Sequence, residues 1–349
     1  PADYPVRVVR EDPDREGLLY AGTEFGMYIS FDDGQNWQPF QQNLPITPVT
    51  DIKVYKQDLA ISTMGRGFWI LDDVTQLHQL ETTATTLFKP RDSYRMRYRP
   101  SNGIPNYPEA GVIIDYHLEK EAAMIQLDIL DGNKTVIRSF VSSKEGLQQG
   151  DRIPDMATGF FDQGVNPELK SGAGSHRLRW DMRHFRAWSA RRGGRYNGGP
   201  MVAPGMYYAK LTVDGQSFEQ SFKVLIDPRL EDNGVTAGDL ELQEELSLQV
   251  RNLSSVANRL AEQVKNKAKE SSDPSDKEAL EKIDEEMNTA KGRYMQPMLL
   301  DQINYLNSML NRADQKPGKD ALDRHAELKA WYQRLQSDFD ALDKTSSQD

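Results

Sequence analysis

Short stretches of alternating apolar and polar residues, separated by turn-forming residues, fill the first part of the chain. This pattern predicts β-strands near residues 18–23, 26–30, 50–55, 58–63 and 68–71. Strands of this length and spacing are typical of a β-propeller or a sandwich. A closed propeller needs about four to eight blades. We therefore expect residues 1–80 to form no more than two blades, the last of a propeller.

The alternation of apolar and polar residues resumes over residues 111–230, after a segment at 81–110 that differs from it. Residues 81–110 are predicted to be a linker, with one strand at 94–99 where arginines alternate with aromatic or apolar residues. Asp131-Gly132 and Asp214-Gly215 are typical hairpin turns within the later region. About seven strands over this length predict an immunoglobulin-like β-sandwich.

The hydrophobic period changes to that of helices after Asp227-Pro228. Apolar stripes at helical spacing, broken near residues 271–274, 292–297 and 316–318, predict three or four amphipathic helices over residues 235–344. Because each stripe covers less than half of its helix, the helices are expected to pack as an antiparallel bundle. The predicted fold class is thus multidomain, mainly β with a helical C-terminal part.

One turn near the start is more specific than these patterns. Ser30, Asp32, Gly34 and Trp37 have the spacing Ser-x-Asp-x-Gly-x-x-Trp directly after a predicted strand. Short Ser and Asp side chains bond to backbone N–H groups within turns, glycine permits a positive φ, and Trp supplies an apolar anchor with one N–H. The motif resembles an Asp box, the structural signature of BNR-type propeller blades.

Longer stretches extend this resemblance. Residues 58–73 look like the closing blade of large bacterial sortilin-like, BNR-repeat proteins that are often labelled glycosyl hydrolases, although Met64 stands where that family commonly has His. Residues 87–91, 112–116, 178–183 and 199–207 resemble the immunoglobulin-like module that follows such propellers. The resemblance covers about residues 15–260.

The resemblance implies export, with a signal peptide and further blades upstream, to be supplied by the parent protein or another chain as partner. It implies no proven reaction, because Asp boxes mark a fold. Two hypotheses follow. The chain is a non-catalytic region for protein or glycan binding and assembly, or it is an accessory region of a secreted glycoside hydrolase whose catalytic residues lie in upstream blades.

Composition excludes several other functions. The formal net charge of -10 disfavours nucleic-acid binding. The chain has no cysteine, and its five histidines are scattered, so the sequence predicts no metal and no cofactor. No run approaches the roughly 20 apolar residues of a membrane span.

Candidate catalytic carboxylates are few. The plausible candidates in the first region are Glu24, Asp51, Asp72 and Asp73, with Arg66 as a charged neighbour. Asp72 and Asp73 are adjacent, and adjacent strand residues point to opposite faces, so turn capping is the simpler explanation. The sequence assigns no catalytic residue.

An arginine-rich, aromatic segment follows residue 177. Arg183, Arg186, Trp188, Arg191 and Arg192 are predicted to bind an anion or an acidic glycan, because arginines stack on rings and bond carboxylates in pairs. In the alternative, the segment is a solvated loop, with Trp180 in the sandwich core and the arginines paired with the acidic helices.

Overall fold

The structure, a computed structural model, describes residues 4–80, 84–97, 110–142, 165–167, 169–189, 199–292 and 294–345. Over these residues the protein is mixed β and α, with mostly antiparallel sheets first and long helices last. Three clusters of buried hydrophobic residues underlie these parts.

Two small antiparallel sheets share the first cluster. One sheet contains β1 (Val6–Glu11), β2 (Leu19–Thr23), β3 (Gly26–Ser30) and β4 (Gln38–Pro39) in that order. The other contains β5 (Val49–Tyr55), β6 (Asp58–Thr63) and β7 (Phe68–Leu71), and the short helix α1 (Thr75–Gln79) follows. Val8, Tyr20 and Ile29 from the first sheet pack with Ile52 and Leu59 from the second.

The two sheets approach closely at Gly22 on β2. A Cβ atom at this position would lie 2.6 Å from Val49 Cγ1 and 2.7 Å from Val8 Cγ1. Real side chains do not tolerate such distances, so glycine is required here by packing.

The next part of the chain forms two further sheets around the second cluster. Its strands are β8 (Thr86–Leu87), β9 (Ser93–Arg95), β10 (Val112–Leu118), β11 (Ile125–Leu130), β12 (Val136–Val141), β13 (Val165–Pro167), β14 (Gly174–Trp180), β15 (Gly205–Val213) and β16 (Gln216–Ile226). One sheet has the order β14-β10-β8, and the other has the order β13-β12-β11-β15-β16-β9. Most strand pairs are antiparallel. The edge strand β13 pairs in parallel with β12, and the edge strand β9 pairs in parallel with β16.

Trp180 is fully buried in the core that these two sheets share. Its ring centroid lies 5.8 Å from that of Tyr207 and 6.1 Å from that of Phe222. The indole N–H donates to the Arg183 carbonyl at 3.0 Å. The ring thus brings both sheets together with no unsatisfied polar atom.

Five helices follow in the described part of the chain: α2 (Pro228–Asp232), α3 (Ala237–Glu270), α4 (Pro274–Met287), α5 (Leu299–Leu310) and α6 (Lys319–Thr345). Thr236 and Asp239 form a reciprocal capping box at the start of α3, and Asp273 caps α4 directly before Pro274. The apolar stripes of α3 to α6 form the third cluster. Helix α3 contacts each of the other three.

Residues 84–97, the junction segment, contact all three parts of the molecule. Both β8 and β9 lie in it, so this stretch of the predicted linker contributes an edge strand to each of the two later sheets. The strand predicted at 94–99 begins and ends earlier, as β9, and residues 98 and 99 lie outside the described residues. Arg91 of this segment bonds to Asp58 on β6. Arg95 and Arg97 bond to Asp314, in the connection between α5 and the last helix.

Candidate functional site

The polar groups of the turn at Ser30 to Trp37 bond to one another. Ser30 Oγ accepts the Gly34 N–H at 2.9 Å and donates to Asp32 Oδ1 at 2.8 Å. Asp32 also accepts the backbone N–H and the side-chain amide of Asn36, which hold the pKa of its carboxyl below the usual value. The Trp37 indole donates to the Gly34 carbonyl at 3.0 Å. Gly34 has φ +82°, a conformation that favours glycine.

Trp188 of the arginine-rich segment lies against helix α3. Arg183 is half-buried, donates to the Gly199 carbonyl at 3.0 Å, and has its pKa lowered because burial opposes its charge. The Trp188 N–H donates to Ser255 Oγ at 3.0 Å, and the Arg259 guanidinium lies 5.1 Å from the Trp188 ring.

One neighbouring residue, His184, adds to the contact with α3. His184 Nε2 hydrogen-bonds to the Glu244 carboxylate, which also accepts the Ala203 N–H at 2.8 Å. Arg186 is half-buried, whereas Arg191 and Arg192 lie outside the described residues. Anion or glycan binding by this segment stays a prediction.

The candidate carboxylates of the first region occupy different environments. Glu24 pairs with Arg7, and Asp51 pairs with Arg10, both on the surface. Asp73 is buried, and its Oδ1 accepts the Thr75 N–H at 3.1 Å. The Arg66 carbonyl accepts the Trp69 indole N–H. These groups do not converge on one site, apart from Asp72 and Asp73 at the end of β7.

Arg177 on β14 connects that strand end to the later sheets. Its guanidinium makes two bonds to the Asp115 carboxylate, at 2.8 and 2.9 Å, and donates to the carbonyls of Asp72 and Asp73 at 2.8 and 2.7 Å. Burial raises the pKa of Asp115 even beside this partner. Asp73 has φ +58°, and its N–H donates to Asp58 Oδ1 at 2.9 Å. The backbone of Asp72 is therefore held in place from both sides.

A cavity of about 760 Å³ opens beside Asp72, between β5–β7, the junction segment and the later sheets. Polar residues on its walls include Lys56, Gln57, Asp58, Asp72 and Arg91, and Tyr94, Met96, Ile113 and Leu225 supply apolar surface. Arg91 is already occupied, because it donates to Asp58 at 2.8 Å and to the Lys56 carbonyl at 2.9 Å.

The Asp72 carboxylate accepts no hydrogen bond from another of the described residues. Its pKa is raised, because burial and the nearby charge of Asp58 outweigh the attraction of Arg91 and Arg177. Sequence reasoning singled out Asp72 but could not find the cavity. Its walls come from segments that only the fold brings together.

A second group of titratable residues joins α1 to the first sheet. Donor atoms of Asp12, Asp14 and His78 lie within 4.8 Å of one another, a grouping that could hold a metal ion. Asp12 is buried, and its Oδ2 accepts the Tyr20 hydroxyl at 3.0 Å and lies 2.9 Å from His78 Nε2. Its Oδ1 accepts the Asp14 N–H at 2.9 Å. Both oxygens of Asp12 are thus engaged within the protein.

Comparison with known proteins gives distant structural similarities. No family model and no curated protein matches the chain. PorZ, a surface component of the type-IX secretion system of Porphyromonas gingivalis, is 13% identical with a TM-score of 0.19, covering 63% of this chain and 30% of that one. The extracellular domain described for a hybrid two-component system of B. thetaiotaomicron is 11% identical with a TM-score of 0.18, covering 64% and 26%.

This chain therefore spans less than a third of either structure. Both matched proteins are bacterial surface or extracellular domains, but at such TM-scores the role of this chain has to be argued from its own residues. Among the described helices, none has both the length and the hydrophobicity that crossing a bilayer requires.

Proposed function

We propose that this chain is the non-catalytic C-terminal region of an exported bacterial BNR/sortilin-like propeller protein, and that it acts in protein or glycan binding and in assembly. In this proposal residues 1–80 are terminal propeller blades, 81–110 a linker, 111–230 an immunoglobulin-like β-sandwich, and 235–344 an antiparallel helical bundle. The partner that we expect for residues 1–80 is a set of further propeller blades, from the parent protein or from another chain.

The observation that supports this proposal most directly is the presence of exposed apolar residues on both outer faces of the first two sheets. On β7, Trp69 and Leu71 pack toward the shared core, whereas Phe68 and Ile70 are 87% and 64% exposed. Alternate residues of a strand point to opposite faces, so Phe68 and Ile70 form an outer face. Such exposed apolar residues mark contact surfaces when they lie together.

The outer face of the other sheet, which contains β1 to β4, also carries exposed apolar residues. Val8 on β1 is buried in the core, whereas Val9 points outward, and Tyr28 lies on the same outer face. The rings of Tyr4 and Phe25 extend this surface, with centroids 4.9 Å apart. Two stacked sheets with apolar residues on both outer faces match the packing of blades inside a propeller, where each blade has a neighbour on each side.

Sedimentation velocity of the purified chain, with and without the double substitution F68S/I70S, tests this role. We expect the native chain to self-associate with rising concentration through its uncovered faces, and the double variant to associate at least ten-fold more weakly. The matched control is Tyr305→Ser on α5, which removes an exposed aromatic residue that belongs to neither of the first two sheets. A folded native monomer at every concentration, with the double variant indistinguishable from it, would contradict the proposed assembly role.

The second candidate function is that of an accessory region in a secreted glycoside hydrolase. The cavity beside Asp72 favours it, because a pocket of about 760 Å³ with apolar walls and a few polar groups can hold part of a substrate without itself being catalytic. Reducing-sugar release by the full-length parent protein is the test. Release that survives Asp72→Asn assigns catalysis to upstream blades, and no release across neutral and acidic glycans contradicts this candidate.

A further inference from the structure

We infer that the cavity beside Asp72 binds a neutral saccharide, with the Tyr94 ring as stacking surface and Asp72 as hydrogen-bond acceptor. The inference rests on the proposed binding role and gives that role a place and a ligand class. It is independent of the apolar faces that support assembly.

The size and lining of the cavity suit a small ligand. Its volume of about 760 Å³ lies within the range of about 300–1,000 Å³ that is typical of ligand pockets. Met96, Ile113 and Leu225 give it an apolar wall, and the polar groups come from different segments. Such a mixture, mostly apolar with a few fixed polar groups, orients a ligand as well as binding it.

Tyr94 is presented to this cavity by the anchoring of its neighbour. Arg95 on the same strand is buried and bonds to Asp314, Gln243 and the Val202 carbonyl on the opposite side. Because successive strand residues alternate in direction, this anchor turns Tyr94 toward the cavity, where it is 47% exposed. An exposed tyrosine ring offers an apolar face and a hydroxyl, which match the C–H face and the hydroxyl edge of a sugar ring.

The acceptor on the cavity wall is equally fixed. Arg177 holds the carbonyls of Asp72 and Asp73, so the Asp72 side chain extends from a clamped backbone. Lys56 and Gln57 on the cavity wall form the two-residue turn between β5 and β6, with φ +49° and +66° as such a turn requires.

The charges on the cavity walls disfavour an anionic ligand. Arg91 is neutralised by Asp58, and Arg229 by Asp227. Asp14, Asp72, Asp92 and Lys56 remain on the walls, so acceptors outnumber donors and an anionic ligand is disfavoured. The Lys56 ammonium lies 5.5 Å from the Tyr55 ring and supplies a donor at the rim. A polyhydroxylated ligand uses both kinds of group without bringing net charge into the cavity.

Isothermal titration of the full chain with neutral hexasaccharides tests the inference. The probes are hexamers of glucose in β-1,4 and in β-1,3 linkage, and of xylose, mannose and N-acetylglucosamine, with spermine and hexagalacturonate as charged comparisons. We expect at least one neutral hexamer to bind, and Tyr94→Ala and Asp72→Asn each to weaken that binding at least ten-fold. Tyr94→Phe should retain most of the affinity, because it keeps the stacking ring.

Matched controls separate the site from general effects of substitution. Tyr305→Ala and Asp301→Asn change an exposed tyrosine and an exposed aspartate on α5, and we expect native affinity in both. Thermal unfolding of every variant checks that the fold is intact. Asp72→Asn is expected to remain folded, because Arg177 contacts the backbone of Asp72 and not its side chain.

Three results would overturn the inference. They are no binding of any neutral hexamer, binding that Tyr94→Ala leaves unchanged, and binding of spermine or hexagalacturonate alone that depends on Asp72. Each would leave the assembly role standing, because that role is measured by sedimentation and depends on Phe68 and Ile70. Conversely, a monomeric chain that binds a neutral hexamer through Tyr94 would reject assembly and retain the saccharide site.

Discussion

Arg95 and Asp314 form a buried ion pair although they lie 219 residues apart in the sequence. Arg95 is on the edge strand β9, and Asp314 follows helix α5. Burial lowers the pKa of Arg95, and the charge of Asp314 opposes that effect. This pair joins the six-stranded sheet to the helices.

Removing the carboxylate should destabilise the protein strongly. We expect Asp314→Ala to lower the free energy of unfolding by about 3–5 kcal/mol, because it leaves a buried guanidinium uncompensated. Urea denaturation measures the change. Asp338→Ala is the matched control. Its partner Arg334 is 3.5 Å away and half exposed, so its effect should stay within about 1 kcal/mol. Equal effects of the two variants would show that the Arg95 pair contributes no special stability.

The Asp-box turn offers a local test. Ser30 is buried, and its hydroxyl accepts the Gly34 N–H. Ser30→Ala leaves that N–H without its acceptor and should cost about 1–3 kcal/mol. Ser62→Ala removes an exposed hydroxyl that bonds Thr50, and its cost should be within about 0.5 kcal/mol. Chemical denaturation that finds no difference between the two would mean that the turn does not depend on its serine.

The spacing of hydrophobic residues predicted strands and helices, because these elements depend mainly on residues that are close together in the sequence. The stripe with Leu246, Leu253 and Leu260 on α3 is an example, as all three residues are buried. The propeller, sandwich and bundle assignments are finer than this pattern and stay proposals. Arg95 looked like one of several strand arginines, because nothing near it in the sequence indicates Asp314 as its partner.

Because the first two sheets approach closely at Gly22, we expect this position not to tolerate a larger side chain. Gly22→Ala would place a methyl group against Val8 and Val49 and should destabilise the protein by about 1–3 kcal/mol through overpacking. Gly132→Ala is the control, since its nearest described neighbour would be the Met206 carbonyl at 3.6 Å. Thermal unfolding compares the two. A tolerated Gly22→Ala would mean that the sheets can separate without cost.

Buried Asp128 predicts a pH dependence of stability. Burial raises its pKa above the ordinary value of 3.8, although Ser139 and Gln126 donate hydrogen bonds to it. At a pH between the ordinary and the raised pKa, Asp128 therefore keeps its proton in the folded state but has lost it in the unfolded state. The free energy of unfolding then falls as the pH rises above about 4, by up to about 1.4 kcal/mol per pH unit.

Asp128→Asn removes that titration, so the free energy of unfolding of the variant should fall less between pH 4 and pH 7 than that of the native protein. Urea denaturation across this range measures both slopes. Asp301→Asn should follow the native slope, because Asp301 is exposed. Parallel curves for native protein and Asp128→Asn would rule out Asp128 as the source.

The candidate site was the least predictable feature, for a physical reason. Tyr94 and Asp72 are separated by a helix and a strand, and the clamp on Asp72 comes from Arg177, more than a hundred positions later. Sequence proximity favoured the arginine-rich segment instead. The structure places Trp188 of that segment against α3, beside Ser255 and Arg259.

The position of the junction segment determines how this protein can be divided into fragments for expression. A fragment that begins at residue 110 would lack β8 and β9, and thus an edge strand of each later sheet. It would also leave Asp314 without Arg95 and Arg97. Fragments that contain the later sheets and the helices therefore have to begin before Thr86.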